Sequence, residues 1–188
     1  AERGFATFVL SNEPKLVTMS NLIMKVRIRK ARRNHRRVKR FRTYREIQRV
    51  LVLFNIEHLD EAVALVKILE AEGKKVKAYS LDKRKVDYGF LPHAFHIWNK
   101  SHLSAFSVPL QEYLEEVEAY KADTLIDMTI KQAPWHSLVY FHTDADYRIG
   151  FNCQDPSRFD LLIGLGQEQP LAFFLDQLLF YLKSIRTS

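Results

Sequence analysis

The sequence predicts an α/β fold, a Rossmann-like three-layer sandwich with a mostly parallel sheet, preceded by a long basic helix. Three observations carry this. From Arg49 onward, short apolar runs suited to buried strands alternate with amphipathic stretches of helical length. The first of these, residues 49–54, 59–72 and 75–81, follow one another with short links, which is the pattern of a βαβ unit. Positive charge is gathered into one segment: residues 25–49 hold 13 Lys or Arg and a single acid, Glu46. Against 29 basic and 22 acidic residues in the whole chain, that segment is net +12 and the remainder net −5. The basicity therefore belongs to one element, and it points to an anionic partner for that element.

The elements follow in order. Residues 1–18 read as a flexible extension, with Gly4, Pro14 and no helical period; the competing reading is a short edge strand at Phe5–Leu10. Met19-Ser20-Asn21 reads as a chain start and a helix N-cap region. A basic helical arm over 19–48 is expected, since no Gly or Pro interrupts it and Arg, Lys, Ala and Gln are good helix formers. Its ends carry apolar residues: Leu22, Ile23 and Val26, then Val38, Phe41, Tyr44 and Ile47 at every third position. Between them, only Ile28 and Ala31 are apolar, so the middle is expected to bridge solvent or bind something charged.

The Rossmann-like body is placed at 49–188. Arg49–Phe54 is a buried parallel strand. A helix over 59–72 puts Ala62, Leu65, Val66 and Leu69 on one face and stops at Gly73. Lys75–Leu81 is the next strand, reached by a right-handed crossover. Phe95–Trp98 reads as a short strand, then a loop to Pro109 with a turn at Phe106-Ser107. Helices are expected at 110–121, 133–143 and after Pro170, and strands at 123–128, 147–151 and 159–162. The last helix is apolar on most faces, which suits deep burial or a contact between copies in a homo-oligomer.

At 188 residues, 47% apolar and 12% aromatic, the chain suits one domain plus an appendage. Cys153 is its one cysteine, so no internal disulfide forms and nothing points to an oxidising compartment. No apolar run approaches the roughly 18 residues of a membrane span, and Phe5–Leu10 is too short for a signal-peptide core. A cytoplasmic protein without a transmembrane segment is expected.

Chemistry is harder to place. A dinucleotide site needs glycines after the first strand, where backbone must approach a pyrophosphate. That stretch reads Asn55-Ile56-Glu57-His58-Leu59-Asp60, with no glycine and two acids. Gly164-Leu165-Gly166 follows a late strand, but a lone GxG more often marks a turn. Asp123 and Asp127 share one face of their strand about 13 Å apart at strand rise, too far for a retaining carboxylate pair. They read instead as caps, Asp123 at the start of its strand and Asp127 on the next helix. His93, His96 and His102 cluster in a loop without the spacing of a metal site. No catalytic, cofactor or metal constellation is assigned. If a ligand pocket exists, it lies at the strand ends near Asn55, Asp127 and Gly164.

From Val50 on, the order of LVLFNIEHLDEAVALVKILEAEGKKV, ADTLIDMTI, ADYRIGF and FDLLI with a terminal helix resembles a family of Bacteroidota proteins of unknown function. The resemblance covers most of residues 22–185 and implies a basic N-terminal helix on a Rossmann-like body. More remotely, LIDMTIKQAPWHSLVYFHTDADYRIGF is similar to the acceptor-side half of heptosyltransferase-like glycosyltransferases. Without a second, sugar-nucleotide-binding half or a Gly-rich opening loop, that likeness supports the fold and counts against transfer activity.

The first functional expectation is thus a non-catalytic module contacting RNA, such as ribosomal RNA, through Lys25, Arg27, Arg29, Lys30, Arg32, Arg33, Arg36, Arg37, Lys39 and Arg40. Alternatives are a peripheral protein that meets anionic membrane surfaces with the same helix, and a remnant or unrecognised glycosyltransferase-like enzyme. A further alternative is a helix whose charge is matched by the acidic remainder of another copy.

Overall fold

A computed structural model describes residues 13–151, 156–164 and 170–184. The elements are α1 (Glu13–Asn34), β1 (Arg49–Leu53), α2 (Leu59–Ala71), β2 (Lys75–Leu81), β3 (Phe95–Trp98), α3 (Gln111–Tyr120), β4 (Thr124–Asp127), α4 (Pro134–His142), β5 (Tyr147–Phe151), β6 (Leu161–Ile163) and α5 (Leu171–Ser184). The strands form one parallel sheet in the order β3-β2-β1-β4-β5-β6. The expected α/β sandwich is therefore present, and the strand order reverses between β1 and β4.

Side chains alternate across a strand, so each strand feeds two cores. Val50, Val52 and Phe54 pack with α2 and α5 on one face. Leu51, Leu53, Tyr79 and Leu125 pack with α1, α3 and α4 on the other. On α5, Phe174, Leu175 and Leu178 are buried, while Phe180 and Tyr181 remain exposed. Gly73 sits at φ +78°, the left-handed region that a helix stop favours, and links α2 to β2. Ser107, in the predicted turn, also has positive φ.

The basic helix differs from expectation. It starts upstream, at Glu13, inside the segment read as a flexible extension, and it ends at Asn34 rather than near Gln48. Residues 1–12, including the Phe5–Leu10 alternative, lie outside the described residues. Nor is α1 a solvent-bridging arm. Met24, Ile28 and Ala31, spaced four and three apart, lie along one seam that joins the α3–α4 side of the core. The two apolar residues of the middle turns suffice, because a helix needs only one stripe to dock.

Beyond Asn34 the chain becomes an extended strap, residues 35–43, across the amino edge of the sheet. Continuing the helix would stack Arg36, Arg37 and Arg40 beside Arg32 and Arg33, with like charges three and four residues apart. The strap offers these groups acceptors instead. Arg37 forms an ion pair with Asp160, just before β6, and donates to the Asp146 carbonyl at 2.9 Å. The Arg40 backbone N–H donates to the same carbonyl at 3.0 Å. Arg42 grips the Asp146 carboxylate with both ends of its fork, at 2.7 and 2.8 Å. Phe41 lies edge-on to Tyr147 at 5.1 Å. The three-residue recurrence of Val38, Phe41, Tyr44 and Ile47 is thus not a helical face; Ile47 is buried and Val38 is exposed.

Gly150 marks a close approach. A Cβ there would lie 2.6 Å from Cε1 of Phe159, whose ring is buried in the α3–α4 core. Gly150→Ala is expected to destabilise the fold by about 1–3 kcal/mol through overpacking. Combining it with Phe159→Leu should recover part of that loss in urea denaturation. A single variant as stable as the parent would show that the ring yields freely.

Candidate functional site

Of the 13 basic residues of 25–49, eleven divide into two sets, leaving Arg40 and the exposed Arg45. Arg27, Arg37, Arg42 and Arg49 serve the fold. Arg27 donates to the Pro109 carbonyl at 2.7 Å and to Gln111 Oε1 at 2.8 Å, tying α1 to the start of α3. Arg49 lies 4.9 Å from the Tyr120 ring centroid. Arg37 and Arg42 anchor the strap as above. Arg40 is exposed and pairs with Glu46 at 3.1 Å.

The other set is Lys25, Arg29, Lys30, Arg32, Arg33, Arg36 and Lys39. All seven are exposed, and no ion pair or side-chain hydrogen bond among the described residues engages them. Helix geometry explains the split. With Met24, Ile28 and Ala31 turned to the body, residues 22, 26, 29 and 33 come round to the opposite side. That outer face carries exposed Leu22 and Val26 in its middle turns and arginines in its last. So of the ten residues expected to contact RNA, the structure leaves seven free, pairs Arg40, and builds Arg27 and Arg37 into the fold.

The free face borders a groove of about 630 Å³ between the end of α1 and helices α3 and α4. Arg27, Lys30 and Arg36 line one side, while Glu118 and Asp144 stand on the other. At its base His35 donates from Nδ1 to the Phe141 carbonyl at 3.1 Å and accepts at Nε2 from Arg148 at 3.0 Å. Both ring nitrogens are thereby used by a neutral imidazole.

A second concavity, about 430 Å³, opens at the carboxyl edge of the sheet, where strand order reverses. Of the three residues proposed for a ligand pocket, only Asn55 lines it. Its amide is already used: Nδ2 donates to the Lys131 carbonyl, and Oδ1 accepts from the Ile130 and Lys131 backbone. Asp127 is buried and turned to its own loop, accepting from the backbone N–H and hydroxyl of Thr129 at 2.9 and 2.6 Å. It caps this turn, not α4 as expected, because α4 begins seven residues later at Pro134. Gly164 lies beyond β6, two strands away from β4, and is exposed. Asp123 does cap the start of the sheet, taking the Gln48 and Arg49 N–H groups at 3.0 and 2.8 Å.

The histidines of the 93–102 stretch separate. His96 stacks on Tyr79 at 4.8 Å, and His102 accepts the Asn99 N–H at 3.0 Å. No group of three or more His, Cys, Asp or Glu suited to a metal occurs among the described residues. Cys153 lies outside them. No described helix is long and apolar enough to cross a membrane.

A family model matches residues 21–185, that of the family of unknown function DUF6913. The chain belongs to this family. The DUF6913 match takes in α1 from residue 21 and the strap together with the whole sheet, so the basic part of the helix and the body form one family unit. No curated protein matches the chain.

Three histidines in this DUF6913 fold are held neutral. Burial lowers His96 to about 4, helped by Lys77, and lowers His136 to about 4. Burial and then Arg148 lower His35, with Arg37 adding to the effect and Asp144 opposing it. Unfolded, each takes up a proton near pH 6.5. The stability they contribute is therefore full above about pH 6.5 and is lost as pH falls below it, toward 4 for His96 and His136. Asp127 has the opposite sign. Burial raises its carboxyl to about 6, so the folded state gains that proton first and recovers some stability between pH 6 and 4. For His136 alone the loss between pH 7 and 5 is about 2 kcal/mol. His136→Asn retains an acceptor for the Ala133 N–H and is expected to flatten the fall in unfolding free energy over that range. An unchanged slope would refute the assignment.

Proposed function

We propose that the chain is a cytoplasmic, non-catalytic RNA-binding module whose contact surface is the outer face of α1 and the strap up to Lys39. One observation carries the reading. Seven cations of α1 and the strap are exposed and have no anionic partner among the described residues, although Asp160, Glu46 and Asp146 have drawn in their neighbours Arg37, Arg40 and Arg42. Four of the seven are arginines, whose planar forks suit phosphate oxygens. The surface is a convex helix face without a base-reading motif, so phosphate contacts are expected to dominate and sequence preference to be weak. Ribosomal RNA, dense in phosphate, fits such a surface.

The test is co-sedimentation with ribosomes, and gel shift with purified RNA, across a salt series. Binding that weakens steeply with salt and vanishes on nuclease treatment is expected; salt-independent or absent binding would overturn the reading. A second reading has its own support: exposed Met19, Leu22 and Val26 share the outer side of α1 with the cations. An interfacial membrane helix has this pairing. Flotation with vesicles of anionic phospholipid, with and without competing RNA, separates the two.

A further inference from the structure

The concavity at the carboxyl edge has features of a ligand site that the RNA reading does not use. It lies where strand order reverses between β1 and β4, so adjacent loops diverge there and leave a crevice. Leu81, at the end of β2, and the chain at Phe54, just past β1, border its floor; Met24 of α1 and Trp135 of α4 form apolar walls.

Its polar groups divide by whether they are already engaged. Asn55 is held by the Ile130–Lys131 backbone, Ser80 donates to the Phe54 carbonyl at 2.9 Å, and Ser20 donates to the Phe106 carbonyl. Lys83 and Lys131 are exposed and have no carboxylate partner among the described residues. Glu57 is the single acid in the described lining. His136, also in the wall, is 4% exposed. Its Nδ1 accepts the Ala133 N–H at 2.7 Å, so Nε2 carries the hydrogen. That buried Nε2–H has no acceptor among the described residues. A buried donor left without an acceptor is costly, and an anion is the strongest acceptor available to it. The first turn of α4, with Pro134 leading, adds the positive end of a helix dipole at the same wall.

We propose that this cleft binds a small organic anion, its phosphate or carboxylate held by Lys131, Lys83 and the His136 Nε2–H, and its apolar body laid against Trp135 and Met24. Two cations against one acid set the preference for negative charge. The apolar wall sets the preference for a ring or short chain over an inorganic ion. The site is independent of the outer face of α1, which meets the cleft only through Ser20, Asn21 and Met24.

The two tryptophans of the chain, Trp98 and Trp135, lie 5.6 Å apart, so their emission reports on this wall. The full chain is titrated with phenyl phosphate, benzoate and benzyl alcohol, exciting the tryptophans alone. A saturable change is expected, with a dissociation constant at least tenfold lower for one or both anions than for the alcohol. Phenyl phosphate alone would assign the natural ligand as a phosphate ester, and benzoate alone as a carboxylic acid. Lys131→Met, at an exposed position, should weaken the anion about fivefold to tenfold without altering the alcohol, and His136→Asn should do the same. Equal affinity for anion and alcohol, no saturable change, or insensitivity to both substitutions overturns the proposal. So does loss of the signal in an Arg32→Ala, Arg33→Ala, Arg36→Ala variant, which would place the anion on α1.

Discussion

Replacing Arg29, Arg32, Arg33 and Arg36 by alanine is expected to lower RNA affinity about two hundredfold at 0.15 M salt. The slope of log affinity against log salt should become shallower by about 3. Each lost phosphate contact on a single strand removes roughly 0.7 of a released counterion, worth about fourfold in affinity at that salt. The fold should not suffer. These four side chains are exposed and lie away from the Met24, Ile28 and Ala31 seam. Removing like charges three and four residues apart relieves repulsion, so melting should stay within about 0.5 kcal/mol of the parent. The contrast is Arg42→Ala, which breaks the two-pronged grip on Asp146 and should loosen the strap while leaving the outer face intact. RNA affinity that follows Arg42 and ignores the other four would overturn the assignment of the surface.

Arg148→Met is expected to cost about 3–5 kcal/mol, the largest single effect on stability outside the apolar core. Arg148 is 1% exposed in the middle of β5. Its Nε donates to the Ala145 carbonyl at 3.2 Å, and Nη2 reaches the Tyr140 and Thr143 carbonyls at 3.2 and 3.3 Å. The guanidinium lies 3.9 Å from the Tyr140 ring centroid, and Nη2 also meets His35. Methionine keeps much of the volume but leaves these buried acceptors without a donor. Arg148→Lys should rescue little, since one ammonium cannot reproduce a planar fork. Urea denaturation measures the loss, and proteolysis within residues 36–43 reports release of the strap where His35 loses its partner. A loss under 1 kcal/mol would mean that the cluster is incidental.

Much of the body was legible because its signals are local. The runs at 49–53, 75–81, 95–98 and 147–151 are strands where alternation or continuous apolarity placed them. Pro134 and Gly73 punctuate helices as their backbone chemistry dictates. The end of α1 was not legible. Nothing between Asn34 and Gln48 breaks a helix by propensity; what ends it is the set of acceptors at Asp146 and Asp160, more than a hundred residues away. Tertiary partners override local preference here. The cationic surface was readable as composition, but its division into free and engaged residues depends on which side of α1 docks. Asn55 lines the carboxyl-edge cleft, where its place just after a strand at the switch point puts it. His136 was missed, since a histidine in the first turn of an apolar helix looks like any other core residue. Arg148 did leave a trace: a lone charge inside a buried parallel strand must find hydrogen-bond acceptors nearby.

The seam that holds α1 has a temporal side. His35 meets Phe141 and Arg42 meets Asp146, pairs separated by 106 and 104 positions. During synthesis at about 5–20 residues per second, α1 emerges about 5–20 s before α4 and β5 exist to receive it. For that interval the most cationic part of the chain waits undocked, with Arg37 and Arg42 as available as Arg33. Docking then withdraws some of these charges from competition, so the finished protein presents a narrower set of cations than its nascent form.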